Sequence, residues 1–450
     1  MKLHFIAIGG SIMHSLAIAL HRAGHTVSGS DDQVYDPAKT RLAQAGILPE
    51  NEGWNPEKIT PDLDGIILGM HAFDDNPELQ RARELGLTIY SFPEFIYAHS
   101  RNKQRVVIAG SYGKTTVTAM VMHVLKGSGK QFDYLVGAEV EGFDNAVRLS
   151  DSAPVIIIEG DEYLASRLDP RPKFLLYQPH MIAITGISWD HINVFPTEAG
   201  YIEQFDLLIR SMDKAADIVY YVGDKLVTKL VKAHIDEECQ YPHPFSTPSY
   251  RIREDVYHVK IGGVSKAVSL IGKHNMTNMA TAWEVCRLLS VDPEVFMKHI
   301  STFKGARNRL ETVYQDAKRM VIKDYAHAPA KVKATVEAVR ERYKKKNIVA
   351  CVELHTFSSL NAEFLPLYKN TLKEANQRIV FVDPMALEKR RMNPISSIQI
   401  RKAFGDSRLK FVNSASELEQ AVRESLKGDD VLLMMSSGNF GGISLESLGK

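Results

Sequence analysis

Short apolar runs alternate with longer amphipathic stretches through the first hundred residues. Leu3–Ile8 reads as a strand, Ser11–Ala23 as a helix and Thr26–Gly29 as the next strand, with further strands at Gly65–Leu68 and Thr88–Tyr90. Strand–helix alternation implies a parallel sheet with crossover helices. A charged stretch, His99–Arg105, precedes a new strand at Val106–Ala109, and a first boundary is expected there. The middle of the chain offers strands at Val155–Ile158 and Met181–Ile187 and helices at Thr115–Lys126 and Tyr201–Met212, then a polar, β-like region at Tyr250–Val268. Asn278–Leu289 has helical spacing, with Met279, Ala282, Trp283, Cys286 and Leu289 on one face. From about Gly305 the alternation restarts, with strands expected at Met320–Ile322, Ile348–Val352, Ile379–Val382, Leu409–Val412 and Val431–Met435. The pattern predicts an α/β chain of three domains in series, over residues 1–100, 101–304 and 305–450.

Length agrees: 450 residues, at roughly 100–200 per domain, make about three. A hydrophobic fraction of 44% with 24% charged residues is ordinary for a globular protein. The formal net charge of +1 argues against nucleic acid or an anionic membrane surface as partner, so any bound anion must be held by local features. No run approaches the roughly 20 apolar residues of a membrane span, and the opening residues read as a first strand, not a signal peptide. Cys239, Cys286 and Cys351 lie far apart without metal-like spacing, which suits reduced thiols in a cytoplasmic protein.

The sharpest chemical signal is Gly110-Ser111-Tyr112-Gly113-Lys114-Thr115-Thr116, placed between an apolar strand and a helix. Glycines let backbone N–H groups wrap phosphate oxygens, and a helix N-terminus faces the same anion. Lys114 would reach the β- and γ-phosphates of a nucleotide, and the Thr115 hydroxyl could ligate Mg²⁺. The loop is shorter than the standard phosphate loop, because Ile108 stands where a further glycine belongs. A second glycine turn, Ile8-Gly9-Gly10-Ser11, follows the first strand, and Asp31 ends the second, in the manner of a dinucleotide fingerprint. Ala7 and Ile12 occupy glycine-like places in it, so a plain α/β turn and a nucleotide site fit these residues equally.

Taken in order, the motifs resemble the Mur ligase family, which assembles peptidoglycan precursors. The resemblance runs through the Ile8-Gly9-Gly10 turn, the phosphate loop, Glu159-Gly-Asp-Glu-Tyr163, Trp189-Asp-His191, Gly272-Lys-His-Asn275 with Asn278, Gly305-Ala-Arg-Asn-Arg-Leu-Glu311 and Asp324-Tyr-Ala-His327. It implies a Rossmann-like domain that binds a UDP-sugar, a central ATP-binding domain and a C-terminal domain that closes over ATP and carries the incoming amine. On that basis Gly9, Gly10, Ser11, Asp31 and His71 would meet the UDP-sugar. Thr115, Glu159 and His191 would hold Mg²⁺, with Asp161 expected to be hydrated instead. His274 and Asn275 would lie near adenine, Arg309 would reach the phosphates, Asp324 would take the ATP ribose, and Asn278 and His327 would complete the nucleotide site. The family's activity would be ATP-dependent amide formation through an acyl phosphate, with Lys114, Glu159, His191 and Arg309 carrying the chemistry.

Three departures stand out. The helix Tyr201–Met212 has no lysine that could be carbamoylated, His327-Ala328-Pro329 lacks a second histidine, and Asn308-Arg309 replaces a paired arginine. Two branches of the family use UDP-N-acetylmuramate itself, adding either L-alanine or a recovered L-Ala-γ-D-Glu-meso-diaminopimelate tripeptide. The long Glu162–His180 run, Gly69-Met-His-Ala-Phe-Asp-Asp-Asn-Pro77 and Ser436-Ser-Gly-Asn-Phe-Gly-Gly442 resemble the tripeptide branch. Glu353-Leu-His-Thr-Phe-Ser-Ser359 sits where the alanine branch has a His-containing motif. A tripeptide's carboxylates call for cations, which Lys389 and Arg390 could supply, although a solvated turn explains them equally. A monomer or weak homodimer is expected. The rival readings are a non-catalytic nucleotide-binding regulator on the same scaffold and an NAD-linked oxidoreductase built on the first domain.

Overall fold

The structure is a computed structural model that describes residues 1–70, 72–235 and 240–449. His71 and Cys239 lie outside the described residues. The chain divides into two compact units, one of Met1–Ile187, Ile202–Phe245 and Glu284–Val291, the other of Ser188–Tyr201, Ser246–Trp283 and Asp292–Lys450.

The first unit holds two sheets. The smaller has β1 (Lys2–Ile6), β2 (Thr26–Ser30), β3 (Gly65–Leu68) and β4 (Ile89–Ser91) in the order β2-β1-β3-β4, all parallel. Leu3, Phe5, Ile6, Ile66 and Ile67 are fully buried, as a parallel sheet covered on both faces requires. β1 stops two residues earlier than its apolar run suggests, because Ala7 takes a φ of +68° and leaves the ladder. The larger sheet is built from β5 (Gln104–Ala109), β6 (Asp133–Leu135), β7 (Val147–Arg148), β8 (Val155–Glu159), β9 (Met181–Ile184), β10 (Ala216–Tyr221) and β11 (Gln240–Phe245), in the order β11-β10-β9-β5-β8-β6-β7. Every pairing is parallel except β6 with β7. β5 lies at the centre, and its register with β8 (Ile108 opposite Glu159) brings the phosphate loop beside that carboxylate. Strand β11 carries Pro242 and Pro244, tolerated because it is the sheet's edge.

The second unit pairs a small antiparallel sheet with a larger mixed one. Tyr250–Val268 forms β12 (Tyr250–Arg253), β13 (Val256–Ile261) and β14 (Val264–Val268). The larger sheet comprises β15 (Glu311–Gln315), β16 (Arg319–Asp324), β17 (Asn347–Glu353), β18 (Gln377–Phe381), β19 (Lys410–Val412) and β20 (Asp430–Met435), in the order β15-β16-β20-β17-β18-β19. Only β15, a polar strand that the apolar pattern does not reveal, runs antiparallel. Val349, Cys351, Ile379, Leu432 and Met434 pack against Leu418 and Val422 of the helix Ala415–Ser425. The helix expected at Asn278–Leu289 is longer, Lys273–Leu288, so Asn275 and Asn278 both sit in its first turns.

Candidate functional site

In the first unit β5 ends on Gly110, where φ is +129° and a Cβ would fall 2.2 Å from Thr185 Oγ1, so only glycine fits. The Ser111 N–H donates to Gly186 O at 2.8 Å, and Gly113, with φ +80°, caps the helix Lys114–Gly127. Thr115 and Thr116 are buried in its first turn. The first N–H groups of a helix have no partner within it, and a turn of this kind suits an anion.

Lys114 Nζ donates to Gly110 O at 2.6 Å and pairs with Glu162 at 2.5 Å. Burial alone would lower the pKa of this ammonium, but Glu162, Asp161 and Glu159 raise it overall, so Lys114 stays charged. Thr115 Oγ1 donates to Glu159 Oε1 at 2.6 Å, and the Gly137 N–H donates to Oε2 at 2.7 Å. Mg²⁺ usually takes one or two carboxylates, with phosphates and water filling its octahedron. The adjacent Thr115 and Glu159 oxygens fit an ion carried in that way. No group of three or more His, Cys, Asp or Glu is gathered into a metal cage among the described residues. The expectation that Asp161 is merely hydrated needs correcting. It pairs with Lys173 at 2.6 Å, and that cation with its neighbours holds the carboxyl below its usual range against the opposing effect of burial.

The N-terminal glycine turn is held by Asp31, whose Oδ2 accepts the Gly9 N–H at 2.7 Å. Gly10 O accepts from His14 Nδ1 at 2.9 Å, and Ser11 is exposed beside it. His71, expected at the same ligand, is outside the described residues.

In the second unit His191 takes a left-handed φ of +56°, a strained conformation for a histidine, and its N–H donates to Asp190 Oδ1 at 2.8 Å. Asp190 is buried, which would raise its pKa. Lys331 at 3.5 Å, followed by His191 and His327, overcomes this and holds it down to about 2. His327 is buried too, and burial first, then Lys331, lowers it to about 4, while its Nδ1 donates to Tyr325 O at 2.9 Å. Asp324 closes β16 with its carboxylate committed to protein donors. Leu310 N–H donates at 2.7 Å, Ala326 N–H at 2.8 Å and Thr335 Oγ1 at 3.3 Å. Burial still raises its pKa, against the opposing Arg309. The Arg309 guanidinium lies over the Tyr325 ring, 4.6 Å from its centroid. His274 is held down to about 4 by burial. Asn275 is buried and donates to Ile271 O at 2.9 Å, and Asn278 reaches Asn275 Oδ1 at 3.4 Å.

Profile comparison matches residues 2–104 to the Mur ligase family, catalytic domain, residues 108–286 to the Mur ligase middle domain and residues 308–438 to the Mur ligase, glutamate ligase domain. The chain is also 32% identical over 401 residues to the UDP-N-acetylmuramate–L-alanine ligase of Lacticaseibacillus paracasei, covering 85% of this chain and 84% of that protein. The chain belongs to the Mur ligase family.

A second Mur ligase, the UDP-N-acetylmuramate–L-alanyl-gamma-D-glutamyl-meso-2,6-diaminoheptandioate ligase of Haemophilus influenzae, is 26% identical and covers 100% of this chain and 98% of its own length. The fold is shared with the UDP-N-acetylmuramate-alanine ligase structure from Thermotoga maritima, at a TM-score of 0.69 and 22% identity over 98% of this chain and 96% of that one. Mur ligases are ATP-dependent enzymes of peptidoglycan assembly that form C–N bonds, and this three-domain α/β chain is one of them. Sequence reasoning did not assign Glu162 to Lys114 or Lys331 to Asp190: Glu162 lies in the Glu159–Tyr163 motif, which does not say what it pairs with, and no local pattern marks Lys331. Lys389 is exposed, and Arg390 donates to Ala386 O at 3.1 Å at its own helix end.

Proposed function

We propose that this Mur ligase joins UDP-N-acetylmuramate to the tripeptide L-Ala-γ-D-Glu-meso-diaminopimelate. The observation that carries the choice is a contact within the first unit. Two segments that resemble the tripeptide branch meet there, with the Arg167 guanidinium 4.2 Å from the centroid of the exposed Phe73 ring. Arg167 lies in a closed turn, held by the Leu164–Pro172 bridge and the Ala165 N–H donating to Arg171 O at 2.9 Å. The likeness to the Haemophilus influenzae enzyme over the full chain supports the same reading. The 32% identity to an L-alanine ligase favours a second reading, with L-alanine as the amine.

In either case ATP is the phosphoryl donor and the sugar's lactyl carboxylate the acceptor. Lys114 and the first helical turn bind the β- and γ-phosphates, so that charge developing on the transferred group meets fixed donors. Thr115, Glu159 and His191 would hold Mg²⁺, which supplies further charge neutralisation when bound. Arg309 is a second cation for the phosphates, and Asp324 and His327 shape the nucleotide site. The acyl phosphate then reacts with the amine and releases phosphate. The test is phosphate release with ATP, Mg²⁺ and UDP-N-acetylmuramate, comparing tripeptide with L-alanine. Release with tripeptide alone supports the first reading, and release with L-alanine alone replaces it with the second. Silence with both would remove UDP-N-acetylmuramate or these amines as substrates.

A further inference from the structure

Strands β16, β20 and β17 lie side by side and parallel, and Asp324, Ser436 and Glu353 stand at their carboxyl ends. Ligands of open α/β sheets sit outside such ends. Glu353 is buried at 1% exposure. Its Oε2 accepts from the Ser436 hydroxyl and from the Phe440 N–H at 3.0 Å, while Oε1 faces His355 Nδ1 at 3.6 Å. His355 Nδ1 is shielded from solvent and has no hydrogen-bond partner, and the same holds for Ser437 Oγ. Gly438 lies directly on this pair. A Cβ there would come within 2.8 Å of Glu353 Oε2 and 2.9 Å of His355 Nδ1. The His355 side chain is nevertheless 32% exposed. The covered atom is Nδ1, so this exposure belongs to the rest of the ring, where Nε2 is the only other nitrogen.

A buried carboxylate beside Nδ1 favours the tautomer protonated there and leaves the lone pair on Nε2. At 3.6 Å the contact exceeds hydrogen-bond length, but such contacts shorten when substrate binds or the ring gains charge. A peptide's α-amine, with a pKa of roughly 7.7–8.0, is mostly ammonium at neutral pH, the amine of a free amino acid is more basic still, and neither can attack until it loses a proton. None of the residues assigned above accepts that proton.

We propose that His355 is the general base for the incoming amine, with Glu353 as its positioning residue. This rests on the ligase reading above and holds for either amine. Nε2 takes one proton from the ammonium, and Glu353 offsets the resulting imidazolium charge. The neutral amine attacks the acyl-phosphate carbon. The C–N bond forms, the C–O bond to phosphate breaks, and phosphate departs with the second amine proton. Glu353 is the ion partner of His355. Of the other charged groups at the neighbouring strand ends, Asp324 closes β16 and Asp383 follows β18.

The experiment compares wild type with His355→Gln using two nucleophiles in the presence of ATP, Mg²⁺ and UDP-N-acetylmuramate. One is whichever of tripeptide and L-alanine the wild type turns over. The other is hydroxylamine, which is largely unprotonated at neutral pH and needs no base. His355→Gln is expected to lose about 10²-fold or more in kcat/KM for the amine at pH 7, to recover as pH rises toward 9, and to form hydroxamate at the wild-type rate. Amine turnover within twofold of wild type would overturn the proposal, as would an equal loss with both nucleophiles. Glu353→Gln should move the acid limb of the amine kcat/KM profile to lower pH, because the imidazolium loses its counter-charge. An unmoved limb would remove Glu353 from the role. Wild-type silence with both amines would instead count against the ligase reading itself.

Discussion

Lys114 is held in place by two partners, Gly110 O and Glu162, and its charge is maintained by surrounding carboxylates despite burial. Lys114→Ala should therefore abolish phosphate release while leaving UDP-sugar affinity within a few-fold, as read by calorimetric titration. Near-normal turnover in that variant would remove the phosphate loop from the mechanism. His327 makes a different prediction. Its folded pKa of about 4 lies below the roughly 6.5 of an unfolded histidine, so the unfolded chain binds the extra proton as pH falls. The stability this neutral side chain contributes is complete above pH 6.5 and is lost as pH drops from there toward 4. At pH 5 the loss is about 2 kcal/mol relative to pH 8. Urea unfolding at the two pH values should show His327→Gln with a smaller pH dependence than wild type, and equal slopes would show that His327 is not buried and neutral. His274, also lowered by burial, acts in the same direction.

At the scale of elements, the phosphate loop was legible because its parts are contiguous: an apolar strand, two glycines, Lys114 and a helix start within a few residues. The ends of elements were less legible. β1 is cut short by the left-handed Ala7, and the helix at Lys273 begins before its apolar face does, with polar Asn275 and Asn278 in its opening turns. Strand β15 was invisible to an apolar pattern because it is a partly exposed sheet edge. The turn between Leu164 and Pro172 makes its own prediction. Its Arg167–Phe73 contact should contribute about 0.5–1 kcal/mol at an exposed site. Arg167→Ala should then speed amide exchange in that turn by about 2–5-fold, without a comparable change in the neighbouring strand β8. Unaltered exchange would show that the contact does not hold the turn.

For the whole molecule, a ligand that binds only the folded chain stabilises it by mass action. At 100 times its Kd, MgATP should add about 2.7 kcal/mol. A thermal scan should show this as a rise in Tm that Lys114→Ala largely loses, and a wild-type Tm indifferent to MgATP would count against the nucleotide site. No described helix is long and apolar enough to cross a membrane. The α/β class, the strand–loop–helix at Gly110 and the ordered motifs of the family could be read from the linear chain, because periodicity, glycine placement and helix starts are short-range properties of the backbone. Pairings across the fold could not. Glu162 meets Lys114 over 48 positions, Ser436 meets Glu353 over 83 and Lys331 meets Asp190 over 141. Which carboxylate is buried against which cation depends on strand order and helix packing, and a charge that looks solvated in the sequence acquires its partner only when the chain folds.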